Sequence, residues 1–299
     1  MSFPRTTVGG VSLSRMIIGT NWFLGFSHCT DAKDKLITTS MDRKRIADVI
    51  EAFLRSGVDT IMGRIQCALL QEAVKEAQDR TGKRVIVVST PGIPTGPETP
   101  EKGIDVSEAA KVFDADAKAG AAFCMPHQMT TDNLVDRCTR KIRHMDTLCR
   151  MIRERGMIPG LSTHMPETIV YADESGLDVE TYISLYNAMG FLMQIEVDWI
   201  AQVIQGAQKP VMTIKPMAAG QIRPFQAFNF VWNTIRDCDM VAVGAMSPDE
   251  AKECIDLSLS ILERRVSDVK LQETRSKASV KPQSSSTPMK SFVRGVAGE

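Results

Sequence analysis

The chain has 299 residues, 43% of them apolar and 24% charged, which is enough apolar content to bury a sizeable core. Lys plus Arg and Asp plus Glu both number 36, so the formal charge is zero and the isoelectric point lies near 6.9. That balance argues against a nucleic-acid partner or an anionic membrane surface, and no apolar run approaches the ~18 residues of a membrane span. A small-molecule substrate is the expected partner, and no oligomeric state is specified. The first ten residues lack the apolar segment of a secretory signal. Seven scattered cysteines, never spaced CxxC, read as reduced thiols, so a cytoplasmic location is expected.

Eight short, near-continuously apolar runs follow one another along the chain. They are 14–20 (SRMIIGT), 58–62 (VDTIM), 84–90 (RVIVVST), 121–127 (AAFCMPH), 157–163 (MIPGLST), 179–187 (VETYISLYN), 210–216 (PVMTIKP) and 240–246 (MVAVGAM). This is the pattern of parallel strands buried on both faces. Helical periodicity fills the gaps at 42–57, 105–120, 130–156 and 247–265. Asp42 stands at the first N-terminus, Ser-Pro opens the last helix, and a glycine closes each of the first three. Strand and helix in strict alternation predict an α/β fold, a (β/α)₈ TIM barrel over residues 1–270. No GxGxxG follows the first strand, which disfavours two dinucleotide-binding domains. Residues 271–299 are polar and Ser/Lys-rich and read as a loosely held tail. Two long connections, 21–41 and 90–103, leave strand ends at the face where barrels keep their sites and are candidate lids.

Functional residues are therefore expected at the strand C-termini. Strand one delivers Thr20, Asn21 and Trp22, strand four His127, and strand five Ser162, Thr163 and His164. Strand six delivers Tyr186 and Asn187, and strand seven Lys215. Two of only four histidines on neighbouring strand ends suit acid–base work. Lys215 could be a buried amine of depressed pKa or an anion contact. Gly244 precedes a helix N-terminus whose N–H groups suit phosphate.

Several segments taken in order resemble the aldo-keto reductase family: VGGVSLSRMIIGTNWFLG (8–25), IPGLSTHMPETI (158–169), LYNAMGF (185–191), TIKPMAAGQI (213–222) and VAVGAMSPDEAKECI (241–255). The resemblance implies a barrel of the aldo-keto reductase type, with NADP or NAD extended across its mouth. It implies His127 as the family's histidine, Ser162 and Thr163 holding the nicotinamide amide, and Tyr186 stacked on the ring. Ser247, Glu250 and Lys252 fall where the adenosine phosphate and adenine are read, with Cys254 in place of the usual Asn. Thr20, Asn21, Lys215 and Gly244 complete the expected cofactor contacts.

The resemblance breaks at the family's reducing site. DTIMGR (59–64) puts Met62 before Gly63, where a tyrosine is expected, and the chain's three tyrosines, Tyr171, Tyr182 and Tyr186, all lie elsewhere. Thr90 stands where the family has a lysine, and Asp59 keeps its place only if the strand is shortened. Ordinary carbonyl reduction is not expected. The first expectation is a divergent small-molecule enzyme of oxidoreductase ancestry using His127, His164 and Asp59. The second is a lyase or hydrolase with a divalent metal on His127 and His164, completed by His28 or Asp59. The third is a non-catalytic ligand-binding descendant.

Overall fold

Eight parallel strands close into a barrel, and each falls on one of the eight predicted runs. They are β1 (Met16–Gly19), β2 (Thr60–Gly63), β3 (Ile86–Ser89), β4 (Phe123–Cys124), β5, β6 (Tyr182–Leu185), β7 (Val211–Ile214) and β8 (Met240–Val243). Neighbours pair in sequence order, and β8 returns to β1 with Val241 opposite Met16. In this computed structural model residues 2–280 are described. The chain divides into two compact units, one ending at Ser267 and one beginning at Asp268. The second unit contains a short helix, Arg275–Ala278, capped by Thr274. Residues 281–299 of the predicted tail lie outside the described residues.

β5 runs in two pieces, Ile158–Pro159 and Leu161–Ser162, on either side of Gly160. The first piece pairs with β4 and the second with β6. The strand crosses so close to its neighbours that a Cβ on Gly160 would lie 2.8 Å from the Thr181 carbonyl oxygen and 2.7 Å from Met125 Cε. Real Cβ atoms do not approach that closely, so closure of the barrel at this point requires glycine.

The barrel interior is one cluster built from strand residues, with Ile17, Met62, Val88, Phe123, Ile183, Met212 and Ala242 all buried. Below it, an antiparallel hairpin (Arg5–Val8 with Val11–Ser14) sends Val8 and Leu13 into the same cluster and floors the barrel. Each such side chain contributes roughly 1.5–3 kcal/mol on full burial. Asp239, fully buried just before β8, holds the strands together at this lower end. Its carboxylate accepts the N–H of Val211 at 2.8 Å and three donors of Arg236 at 2.8–2.9 Å. Its carbonyl accepts Arg15 Nε at 2.9 Å.

The helices follow their caps. Asp42 accepts the N–H of Arg45 at 2.8 Å to start Arg43–Arg55, and Asp105 accepts that of Glu108 at 3.0 Å to start Val106–Lys118. Ser247 caps Pro248–Leu262. The helix expected over 130–156 is not continuous. Only Met145–Arg153 is a regular helix, preceded by a short turn of helix and a small antiparallel pair, Val135–Asp136 with Lys141–Ile142. The cause is Asp136, whose carboxylate gathers the N–H groups of Cys138 and Thr139, the Thr139 hydroxyl and Arg143 into a turn. Arg140 and His144 then take left-handed backbone (φ 53° and 62°), which no helix can pass through. Among the described residues no helix is long and apolar enough to cross a membrane, and all seven cysteines are free thiols.

Candidate active site

Strand alternation places Met62, Ile183 and Ala242 at the top of the barrel interior, where they floor a cleft of about 540 Å³. Its walls come from the strand ends: Thr20, Asn21 and Trp22 after β1, Thr90 after β3, His127 after β4, Ser162 and His164 at β5, Lys215 after β7, and Gly244 after β8. The long connection after β1 folds into two helices, Asn21–Leu24 and Asp31–Ser40, and adds Ser27, His28 and Lys33. The loop after β7 adds Met217, Ala219, Gly220, Ile222 and Arg223. The connection after β3 contributes Thr90, while its Ile93 is pinned to Thr130 by two hydrogen bonds of 2.9 Å.

His28, His127, His164 and Lys215 form the electrostatic centre of the cleft. Burial pushes His164 down to about 4, and the charges of Lys215, His127 and His28 push in the same direction. His127 and His28 are also lowered, first by burial and then by cationic neighbours: Arg64, Lys215 and His28 for His127, and Lys215 for His28. Burial alone takes Lys215 down to about 8. Among the described residues no carboxylate pairs with its amine. All three imidazoles are therefore neutral at pH 7, and Lys215 is in part a free amine. His127 Nδ1 accepts the N–H of Met129 at 3.3 Å, which assigns the ring proton to Nε2. Among the described residues no side-chain hydrogen bond fixes the His164 ring, so its lone pair is free to accept a hydrogen bond from a ligand.

Asp132 lies behind His164. It accepts the Thr163 hydroxyl at 2.5 Å and the His164 N–H at 3.1 Å, and burial holds its carboxyl up at about 6. The two groups oppose one another in acid. His164, depressed in the fold, favours the folded state above its unfolded pKa near 6.5, and that contribution drains away between pH 6.5 and 4. It amounts to about 2 kcal/mol from pH 7 to 5. Asp132, elevated in the fold, acts in reverse and restores about 1 kcal/mol as it protonates below pH 6. Asp132→Asn should therefore steepen the fall of the thermal midpoint between pH 7 and 5 by about 3–5 °C. Equal slopes for variant and parent would show that the carboxyl does not titrate in this window.

Of the residues expected from sequence, the cleft brings together Thr20, Asn21, His127, Ser162, His164, Lys215, Gly244 and Glu250. Others lie elsewhere. Asp59 is at the opposite end of β2, where its carboxylate pairs with Arg5 at 2.8 Å under the barrel floor; it cannot join chemistry at the mouth. Tyr186 is buried with its ring 5.0 Å from Phe230, because Ile183 faces inward and alternation turns Tyr186 outward. It does not stack over the cleft. Thr163 is fully buried and bonded to Asp132 and Thr168. Asn187 closes its own loop by accepting the N–H groups of Met189 and Phe191. Ser247 is consumed as a helix cap, and Lys252 lies exposed, 3.4 Å from Asp249.

The metal reading loses its third ligand. Among the described residues no three His, Cys, Asp or Glu side chains are grouped to hold an ion, and Asp59 is on the wrong side of the barrel. A dinucleotide fits at one end only. Ser162 Oγ and Lys215 face the cleft without partners among the described residues and could hold a carboxamide or an anion. At the β8 end, Glu250 occupies the Met246 N–H at 2.8 Å, and Ser247 occupies that of Glu250. Trp22 lies against Gly244, where a Cβ would meet its Cδ1 at 2.8 Å. Two of the N–H groups that would receive a pyrophosphate are thus already bonded, and Glu250 and Glu253 line that end.

No protein-family model matches the sequence, and no curated protein matches it. Solved structures do. A Pseudomonas aeruginosa protein assigned as an aldo-keto reductase superposes with a TM-score of 0.62 at 15% identity, covering 86% of this chain and 95% of its own. An aldo/keto reductase from Brucella melitensis gives 0.54 at 12%, covering 91% and 95%. MGS-M4, an aldo-keto reductase from a Medee basin deep-sea metagenome library, gives 0.54 at 11%, covering 90% and 91%. At these identities the likeness establishes the fold: an aldo-keto-reductase-type (β/α)₈ barrel.

Proposed function

We propose that this barrel is a small-molecule enzyme that performs acid–base chemistry on a carbonyl compound, with His127 as proton donor and His164 as proton acceptor. The observation that carries the reading is the convergence of three neutral imidazoles and one unpaired amine on a single cleft of small-molecule size. A neutral imidazole with its proton held on Nε2 can polarise a carbonyl oxygen, and the free lone pair of the His164 ring can take the proton that this polarisation makes acidic. Lys215 and the nearby Arg64 and Lys33 favour substrates with an anionic group. The oxidoreductase ancestry is supported by the fold alone. A nicotinamide cofactor remains the second reading, favoured by Ser162 and Lys215 and opposed by the occupied β8 end.

A thermal-shift screen with small carboxylated and phosphorylated aldehydes and ketones, run beside NADPH and NADH, separates these readings. The carbonyl compounds should stabilise the protein, and His127→Ala or Lys215→Met should weaken that response. Turnover of a responding compound should fall about 10²–10⁴-fold in His127→Ala and in His164→Ala. Generic aldehyde reduction with NADPH should stay at background, since no tyrosine reaches the rim. Tight NADPH binding with rapid aldehyde reduction, and no response to the carbonyl compounds alone, would replace this proposal with the second reading.

A further inference from the structure

Lys215 is the one cleft residue whose local backbone, burial and neighbours all depart from what a surface lysine needs. It ends β7 with φ 61°, in the left-handed region that a side chain rarely adopts. Ala218 and Ala219 follow at φ 48° and 56°, so three of the eight described non-glycine residues with positive φ fall within five positions. Such backbone is unfavourable for a residue with a Cβ, and it accumulates where a fold must hold a group in a particular place. A hydrogen bond from the Ala218 N–H to the Lys215 carbonyl at 3.0 Å, and one from Gly220 to Met217 at 2.9 Å, lock the turn. Cys29 Sγ reaches the Ala219 carbonyl at 3.5 Å from the helical insertion after β1, so the turn is also held from across the cleft. The cradle places a primary amine on a cavity where, among the described residues, no acid pairs with it and three imidazoles share the lining and feel its charge.

We propose that Lys215 forms an imine with a carbonyl compound in this cleft, which makes the site one for Schiff-base chemistry. The inference rests on the reading above that the cleft takes a small carbonyl compound. The nitrogen lone pair attacks the carbonyl carbon, and a C–N bond forms as the C=O π pair moves to oxygen, which His127 Nε2–H holds by a hydrogen bond. The proton on the new ammonium passes to that oxygen through His164, which ends neutral, leaving a neutral carbinolamine. One proton from solvent then protonates the hydroxyl, the C–O bond breaks, and water leaves as the nitrogen lone pair closes the C=N bond to give an iminium. Amine, carbonyl and one proton become iminium plus water, loss of the N–H proton gives the imine, and no oxidant or reductant is consumed. Burial without a counter-ion supplies the free amine this needs near neutral pH, and the resulting iminium is an electron sink for breaking a neighbouring C–H or C–C bond.

The test is reductive trapping. The full chain is mixed with pyruvate, glyceraldehyde or acetaldehyde at neutral pH. Sodium cyanoborohydride then delivers hydride to the imine carbon and leaves a stable secondary amine. Peptide mass spectrometry should place the adduct on Lys215 about tenfold or more above the average of the other lysines, whose amines are almost wholly protonated. Lys215→Arg retains the charge and most of the stem, so it should keep the thermal shift produced by the ligand while losing the adduct. Even labelling across all lysines, in a protein that the same compounds stabilise, would overturn the imine and leave the acid–base reading intact. A protein that neither shifts nor labels with any of the three overturns both.

Discussion

Replacing Asp239 with alanine is expected to cost about 3–5 kcal/mol of stability, the largest single-residue effect we foresee. The buried carboxylate of Asp239 accepts the Val211 N–H at the entry to β7, and it anchors Arg236 by three donors. Arg236 in turn donates to the Ala207 and Lys209 carbonyls, so one carboxylate organises the lower ends of two strands and the turn before them. Truncation takes the buried acceptor from the Val211 amide and leaves the half-buried Arg236 guanidinium with two carbonyls but no counter-charge, which costs far more than a missing surface pair. Asp237→Ala is the control. Its carboxylate is fully exposed and sits 3.7 Å from Arg15, so it should change stability by no more than about 0.5 kcal/mol. Urea unfolding of the two variants decides the matter, and a loss below about 1 kcal/mol for Asp239→Ala would mean that the network relaxes onto other acceptors.

Gly160→Ala should cost about 2–3 kcal/mol and lower the thermal midpoint by about 5–10 °C. The added methyl meets a backbone carbonyl, Thr181 O, on one side and Met125 on the other. Met125 can shift its flexible end, but the carbonyl belongs to the ladder between β5 and β6, where it accepts the Leu161 N–H at 3.1 Å. Relief therefore requires opening the barrel at its bend. Gly206→Ala, where nothing lies within 4 Å of the new carbon, should be neutral or stabilising by up to about 1 kcal/mol. If both alanines behaved alike, the glycine at the bend would be incidental to closure.

The eight strands were legible because parallel strands covered on both faces leave unbroken apolar runs, and the helix ends were legible where Asp42, Asp105 and Ser247 carry their own caps. The stretch 130–156 was not, because its 3.6-residue periodicity is overridden by Asp136, a residue that bonds its own backbone and ends the helix before it starts. At the site, His127, His164, Ser162 and Lys215 could be read from their positions at strand ends. Tyr186 could not, since a one-residue difference in where the inward face begins turns it to the opposite side. His28 was named only as a metal ligand. Its place beside Lys215 comes from an insertion whose fold has no strand to announce it. The opposition of Asp132 and His164 carries no sequence signal, because it depends on burial acquired when β4 and β5 meet.

The pairing of β8 with β1 has a consequence for how the chain is made. Strands whose partners stand well over two hundred residues apart cannot meet until nearly the whole barrel has left the ribosome. At about 5–20 residues per second, β1 waits roughly 10–45 s with one edge unpaired while strands are added to the other. The hairpin of Arg5–Val8 and Val11–Ser14 has been synthesised by then, so Val8 and Leu13 are at hand to floor the interior as the wall closes. The last strand to emerge both seals the wall and brings Gly244 against Trp22. The cleft is therefore assembled in one final step of synthesis, and a nascent chain halted before residue 240 should carry the histidines and Lys215 without the enclosure that sets their charge.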